Sequence, residues 1–380
     1  MKSISKFLYV IIILLGSSCA ERQPIKESEN LIFVDLEKEN SVSMYDLFSK
    51  VELIPLENTN EAVVGEPIRE MRVDNGHFYL LTGKQEVIWH FDEKGHFVDK
   101  INHYGSGPNE YSTLSDFRFN RFNGDLEILC CWGYINVYDH SGKTFKKRIS
   151  FDWNKTSVVH NFIELSPNKY LFFSKSRKGN KMMWYDVEKN DIIAECYNLP
   201  KFLFFNTPFH HTFTPFYSYN DRVHFVQAYN GTVFTADSEG YFKSEYNFDF
   251  GEYNFDISGL EDKDMRYYIT YTATVGAKYA NRFIAYGENS KYYISRFNFR
   301  KKLSHLVMDK KTGKTYYFTK LKENCLCFPL CMDEKALYFI SYPEELNVAV
   351  NPNILSKEDR DEINKVSPAD NPIIIKYTFK

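Results

Sequence analysis

A short phrase recurs along this chain: an aromatic or apolar residue, then Asp, then a tight turn closed by Gly or Asn. It reads Phe91-Asp92 with Gly95, Tyr138-Asp139 with Gly142, Tyr185-Asp186 with Asn190, Ala236-Asp237 with Gly240, and Met308-Asp309 with Gly313. Each copy suits a hairpin turn, because the Asp carboxylate can accept the turn's backbone N–H groups while Gly or Asn tolerates positive φ. The Asp positions lie 47, 47, 51 and 72 residues apart. The first three intervals match one four-stranded propeller blade of roughly 40 to 50 residues, and the last carries an insertion.

A strand-like run stands upstream of each turn, at residues 77–81, 125–130, 169–174, 222–227 and 291–296. A sixth, at 336–341, is followed much later by an apolar run at 373–379. Aromatic residues make up 17% of the chain, with 28 Tyr and 33 Phe, and flat rings pack well on half-buried pleats. The expected fold is therefore all-β: a six-bladed β-propeller of four-stranded antiparallel blades, with small helical insertions on one face. Residues 51–57 alternate like a strand and precede the first blade. They are expected to complete the last blade, which removes the open sheet edge that an unclosed ring would leave.

The N-terminus reads as a targeting segment, to be set apart from the fold. Lys2 and Lys6 accompany an apolar stretch at 7–15, which is shorter than the ~20 residues of a membrane-spanning helix. Gly16, Ser17, Ser18 and Cys19 resemble a bacterial lipobox, which would make Cys19 the acylated first residue of the mature chain. Gly16 stands where that pattern usually has Leu, and Leu15 is one position further back. Ordinary cleavage after Ala20, with Ser18 and Ala20 as the small pair, is the alternative. The expected division is a signal peptide at 1–19, a polar tether at 20–30 and one propeller at 31–380.

The first blade ends in Gly105-Ser106-Gly107-Pro108-Asn109-Glu110-Tyr111. This segment resembles the G-x-G-P-x-E-Y signature of a large family of six-bladed β-propeller lipoproteins of Gram-negative bacteria, related in architecture to NHL and TolB-type propellers. The resemblance runs from about residue 31 to the C-terminus. It implies the propeller fold, a cell-envelope location as an outer-membrane lipoprotein facing the periplasm or the outside, and a binding role. Most members have no assigned activity. From the residues themselves, Gly105, Gly107 and Pro108 shape a crossover between blades, and Glu110 and Tyr111 pin it.

Other chemistries find little support. The glycine motif precedes a strand and not a helix, so it lacks the N–H ladder that holds a phosphate. Ser141-Gly142-Lys143-Thr144 resembles the tail of a Walker loop, but no earlier Gly stands at the required distance. The Asp turns place Lys94, Lys310 and Lys311 where a calcium loop needs oxygen ligands. Cys325 and Cys327 share one strand face, but no His sits at a zinc-like spacing, so buried thiols are expected. There is no G-x-S-x-G or H-E-x-x-H motif. No cofactor or metal is expected, and a formal charge of -3 gives no basic excess for nucleic acid.

In a four-stranded meander the turn after the second strand and the crossover to the next blade share one face, while the Asp turns lie on the other. The long segments at 200–211, 252–280 and 342–371, the last with a helix-like 356–363, all belong to the first face. Insertions gathered on one face mark it as the binding face. Its candidates are Trp132 and Tyr229 in second-to-third-strand turns, and Phe209, His210 and His211 where a crossover enters an inner strand. Lys84, Arg177, Lys178, Arg300 and Lys301 occupy equivalent turns of blades one, three and five. The rings could stack on sugars or peptide side chains, and the basic groups could fix an anionic or hydroxyl-rich group. The leading expectation is a non-catalytic binding or scaffold lipoprotein for a glycan, peptide or protein partner, held to the membrane through Cys19. A propeller hydrolase or lyase with a metal in the central tunnel, and a purely structural envelope component, are the alternatives.

Overall fold

The computed structural model of the protein describes residues 31–83, 85–174, 177, 179–198, 215–226, 231–256, 258, 260 and 263–380. They form six antiparallel blades in a ring. Blade one runs Ile68–Asp74, His77–Thr82, Ile88–Phe91 and Phe97–Ile101, and blade two Asp116–Phe119, Leu126–Cys130, Tyr134–Tyr138 and Phe145–Ser150. Blade three runs Asn161–Ser166, Lys169–Phe173, Asn180–Asp186 and Asp191–Asn198, and blade four Phe216–Tyr219, Arg222–Val226, Gly231–Ala236 and Phe242–Asp249. Blade five runs Asn281–Glu288, Tyr292–Phe299, Lys302–Asp309 and Thr315–Phe318. Blade six has Cys331–Met332, Ala336–Ser341 and Ile373–Phe379, and its fourth strand is Phe48–Pro55. That closing strand pairs Val51 with Tyr377 and Ile54 with Ile374.

The recurring Asp turns join third to fourth strands. Asp92 Oδ1 accepts from the backbone of Lys94 and His96, Asp237 Oδ1 from Glu239 and Tyr241, and Asp309 Oδ1 from Lys311 and Thr312. Hydrogen bonds from the turn, led by the Thr144 N–H, hold Asp139 down at about 2.

The core is a set of layers between neighbouring blades. Tyr79, Leu81 and Ile88 of blade one meet Phe117, Leu126 and Ile128 of blade two, and the same sandwich recurs around the ring. A sheet buried on both faces has no reason to alternate, so Leu126–Cys130 is buried at every residue. Inner strands keep one unpaired edge, whose carbonyls need donors. Arginines of the preceding blade supply some of them. Arg69 donates to Leu114 O (2.5 Å) and Ser115 O (2.9 Å), Arg72 Nε to Phe117 O (2.5 Å), Arg118 Nε to Phe162 O, and Arg121 to Leu165 O (3.5 Å).

The two longest described helices lie where insertions were expected, while one-turn helices also form at Met44–Leu47 and Trp153–Thr156. Met265–Ala273, capped by Asp264, sits between blades four and five, and Lys357–Ile363, capped by Ser356, inside blade six. No described helix is long and apolar enough to cross a membrane. Cys325 and Cys327 lie in the crossover to blade six and not on a strand, and burial pushes their thiols up to about 11 and about 12.

The N-terminal segment does more than close the ring. Leu31–Phe33 adds a fifth strand to blade four, parallel to Phe242–Asp249. The chain then crosses the outer edge of blade five, where Asn40 N donates to Tyr317 O (2.6 Å) and Tyr317 N to Asn40 Oδ1 (2.7 Å). Only then does it enter blade six.

Candidate functional site

Crossovers and second-to-third-strand connections gather on one face, and so do exposed apolar side chains. Tyr104, Trp132, Trp153, Tyr267, Ile269 and Val348, each 45% to 72% exposed, all belong to those connections. Among the described residues, the short turns of the opposite face hold Phe122 and Tyr241.

Trp132 and Trp153 form a pair, with ring centroids 6.3 Å apart and planes at 80°. Trp132 sits in the second-to-third-strand turn of blade two, and Trp153 opens a one-turn helix, Trp153–Thr156, in the next crossover. Asp152 caps that helix by accepting from Asn154 N at 2.9 Å. Gly133, at φ 122, lets the two segments meet: Phe151 N donates to Gly133 O at 2.8 Å, and a Cβ on Gly133 would stand 2.9 Å from Phe151 O. The turn requires glycine, and the close approach sets the two rings edge to face. Trp153 escaped the sequence reading. Its signal was a second tryptophan just past the outer strand of the same blade.

Two of the basic candidates, Arg177 and Arg300, are engaged within the fold, while Lys301 is exposed in the same turn as Arg300. Arg177 pairs with Glu195 and donates to Asn180 O at 3.0 Å and Lys155 O at 3.3 Å. Arg300 lies 5.1 Å from the Tyr253 ring and 4.8 Å from the Phe299 ring, donates to the Tyr253 hydroxyl at 3.1 Å, and stands 4.0 Å from Glu37. Lys178, His210, His211 and Tyr229, with Cys19, Lys84 and Phe209, lie outside the described residues.

The Gly105-to-Tyr111 segment links the outer strand of blade one to the inner strand of blade two. Pro108 occupies a turn in which Glu110 N donates to Gly107 O at 3.1 Å. The Glu110 carboxylate folds back to accept from Gly107 N at 2.7 Å, and a side chain on Gly105 would collide with it. Tyr111, fully buried, donates its hydroxyl to Glu86 O at 2.6 Å. Asn136 and Arg148 of blade two donate to Glu110 O at 3.0 Å and 2.8 Å. These bonds end on the protein itself, so the segment clamps two blades.

Two acids are buried between blades two and three. Glu127 accepts from Asn120 (2.7 Å) and the Tyr170 hydroxyl (2.8 Å), while its Oε2 and Glu164 Oε1 have no partner. Burial, reinforced by Glu164, pushes Glu127 up to about 8 from its ordinary 4.5. Between those values the folded state holds a proton that the unfolded state releases. Wild-type stability should therefore fall as pH rises across that window and level off above it. Glu127→Gln mimics the protonated form, so its advantage in urea unfolding should grow by about 1 kcal/mol per pH unit over the same range. A constant difference between about pH 5 and about pH 8 would show that Glu127 ionises freely in the fold.

Among the described residues, no three of His, Cys, Asp and Glu gather so as to hold a metal ion. No curated protein matches the chain. Among solved structures, a Bacteroides fragilis NCTC 9343 protein described as exported superposes with a TM-score of 0.70 at 15% identity, over 92% of this chain and 100% of that one. The WD40 domain of Neurospora crassa Pan2 gives a TM-score of 0.37 at 13% identity over 67% of each chain. The first of these likenesses is one of fold. The family model described as Domain of unknown function (DUF4934) matches residues 30–378, nearly the whole chain, and the protein belongs to that family.

Proposed function

We propose that this propeller is an exported binding protein, fastened to the cell envelope through a lipid on Cys19, that presents its crossover face to a glycan, peptide or protein partner. The observation that carries the reading is the Trp132–Trp153 pair, each ring at least half exposed on the face where the insertions lie. Apolar rings left in water in this way form a ready stacking surface. The fold shared with the Bacteroides fragilis protein whose description names it as exported supports the location. Strand direction supports the orientation. Leu31–Phe33 runs parallel to the outer strand of blade four, so the chain enters from the side of the short turns. A membrane anchor upstream would leave the crossover face pointing away from the lipid.

Trp132→Ala and Trp153→Ala should each weaken capture of the partner about ten-fold or more, as loss of a stacked aromatic usually does. Lys94→Ala and Lys311→Ala, in turns of the opposite face, should be silent. A glycan array and an envelope pull-down read the effect, with circular dichroism as the check on folding. Palmitate labelling of wild type and Cys19→Ala tests the anchor in the same preparations. Binding that survives both tryptophan changes and fails with the lysine changes would put the site on the other face.

A further inference from the structure

Each blade ends in an outer strand, and the free edge of such a strand is a template for another. Four of the six edges are engaged. Leu31–Phe33 pairs along blade four, Asn40 bonds with Tyr317 at blade five, Asp359 accepts from Leu53 N at blade six (3.0 Å), and Glu57 accepts from Phe97 N at blade one (2.7 Å). The outer strand of blade two, Phe145–Ser150, stays open but carries exposed Lys146, Lys147 and Arg148 in its middle. Such charges blunt an edge.

Blade three has neither device. Its outer strand, Asp191–Asn198, contains no Lys or Arg, and both of its acids are matched by neighbours: Lys155 lies 2.9 Å from Asp191, and Arg177 pairs with Glu195. Beyond the ladder with Asn180–Asp186, the backbone of residues 191–196 makes one bond among the described residues, from Ile192 N to the Asp191 carboxylate at 2.9 Å. About 20 Å of strand edge is therefore left with unpaired N–H and C=O groups.

A groove of about 1810 Å³ flanks this edge, where Ile193, Ala194 and Cys196 face Tyr241 and Phe242 of blade four. The two sides are close, since a Cβ on Gly240 would stand 2.5 Å from Ala194 Cβ, and Tyr241 is 54% exposed. Charged side chains line the groove as well, and among them Glu239 pairs with Lys169 and Arg222 with Glu245. The volume exceeds the ~300 to 1,000 Å³ of ordinary small-molecule sites, so it suits a length of chain better than a compact ligand. Blade four shows how a strand is received. Ile32 and Val34 turn into the layer shared with blade five, while Leu31 and Phe33 stay 61% and 63% exposed.

We propose that the outer edge of blade three binds an extended peptide segment of a partner protein, which adds as a fifth strand and sets every second side chain, an apolar one, against Ile193, Ala194, Cys196, Tyr241 and Phe242. The unpaired backbone groups give affinity for any extended chain, and the apolar stretch of the groove selects the alternate side chains. This site lies on the rim of the ring, apart from the Trp132–Trp153 surface, and does not depend on the function proposed for that surface.

The test screens the whole protein against an array of ten-residue peptides with Val, Ile, Phe or Tyr at every second position and Ser or Thr between them. The best peptides should bind in solution with a Kd of about 0.1 mM or lower. Because alternate N–H groups of an added strand face the sheet, N-methylation of one alternate set should abolish binding, and methylation of the other should change it less than about three-fold. Bound peptide should slow hydrogen exchange in residues 191–196 and leave Phe145–Ser150 unchanged. Ile193→Lys places on this edge the kind of charge that blade two carries, and should weaken binding about ten-fold or more. Tyr241→Ala, at an exposed position, serves if that variant misfolds and should weaken binding about five-fold or more. Trp132→Ala should leave peptide binding unchanged. The proposal fails if no peptide of the array binds at about 1 mM, if both methylated sets bind like the parent, or if the protected amides are those of Phe145–Ser150. A wild-type dimer that Ile193→Lys dissociates would assign the edge to a second copy of the chain and overturn it as well.

Discussion

A chain that starts at residue 58 should not form a stable ring. It lacks the strand Phe48–Pro55, so blade six would expose the whole outer edge of Ile373–Phe379. It also lacks Met44, Leu47, Phe48, Val51, Leu53, Ile54 and Leu56, all buried in the layers on either side of blade six. At about 1.5 to 3 kcal/mol for each large apolar side chain, their burial contributes on the order of 10 kcal/mol or more. The whole margin of a folded domain is about 5 to 15 kcal/mol. A milder truncation separates closure from the rest of the strap. A chain starting at residue 38 loses the added strand Leu31–Phe33 and the buried Val34 and Leu36, and keeps the closing strand. It should stay folded, with a lower urea midpoint. Size-exclusion chromatography and urea unfolding distinguish the two, and equal midpoints for wild type and the chain starting at 58 would place the N-terminus outside the stabilising ring.

What the sequence made legible is local chemistry repeated. An Asp that accepts two or more backbone N–H groups, followed by a residue free to take positive φ, specifies its hairpin with no outside help, so the blade period could be read directly. Strands buried on both faces announce themselves as apolar runs for the same reason. The strap over blade five was not legible, because Asn40 and Tyr317 meet across 277 positions and residues 34–43 carry no period of their own. The basic turns looked available because Glu195, Tyr253 and Glu37, which occupy Arg177 and Arg300, come from other elements. The tunnel did leave a trace. Arg69 and Arg72 in blade one and Arg118 and Arg121 in blade two repeat an R-x-x-R spacing at the same place in the blade. Each pair reaches carbonyls of the following inner strand. A search for repeated charge, beside repeated turns, would have found it.

The same substitution should have very different effects at Gly95 and Gly313. Both glycines close a third-to-fourth-strand turn, with φ of 86° and 70°. An alanine held at such angles costs about 1 to 2 kcal/mol from its own Cβ and carbonyl contacts. Gly313 has nothing within 4 Å of the position a Cβ would take, so Gly313→Ala should lose little beyond that amount. At Gly95 the new methyl falls on the carbonyl oxygen of Pro55 and stands 3.0 Å from Ile54 Cγ2. Pro55 is backbone in the closing strand, and Glu57 N donates to Gly95 O at 2.8 Å just beyond it. Relief therefore requires the turn of blade one to move away from the strand that completes blade six. Gly95→Ala should lose at least about 3 kcal/mol, in the range reached when a packed site is overfilled as well as strained. Urea unfolding of the two variants measures the gap directly. Equal losses would mean that the turn's φ alone sets the cost, and that the first blade does not press on the closing strand as the contact between Gly95 and Pro55 requires.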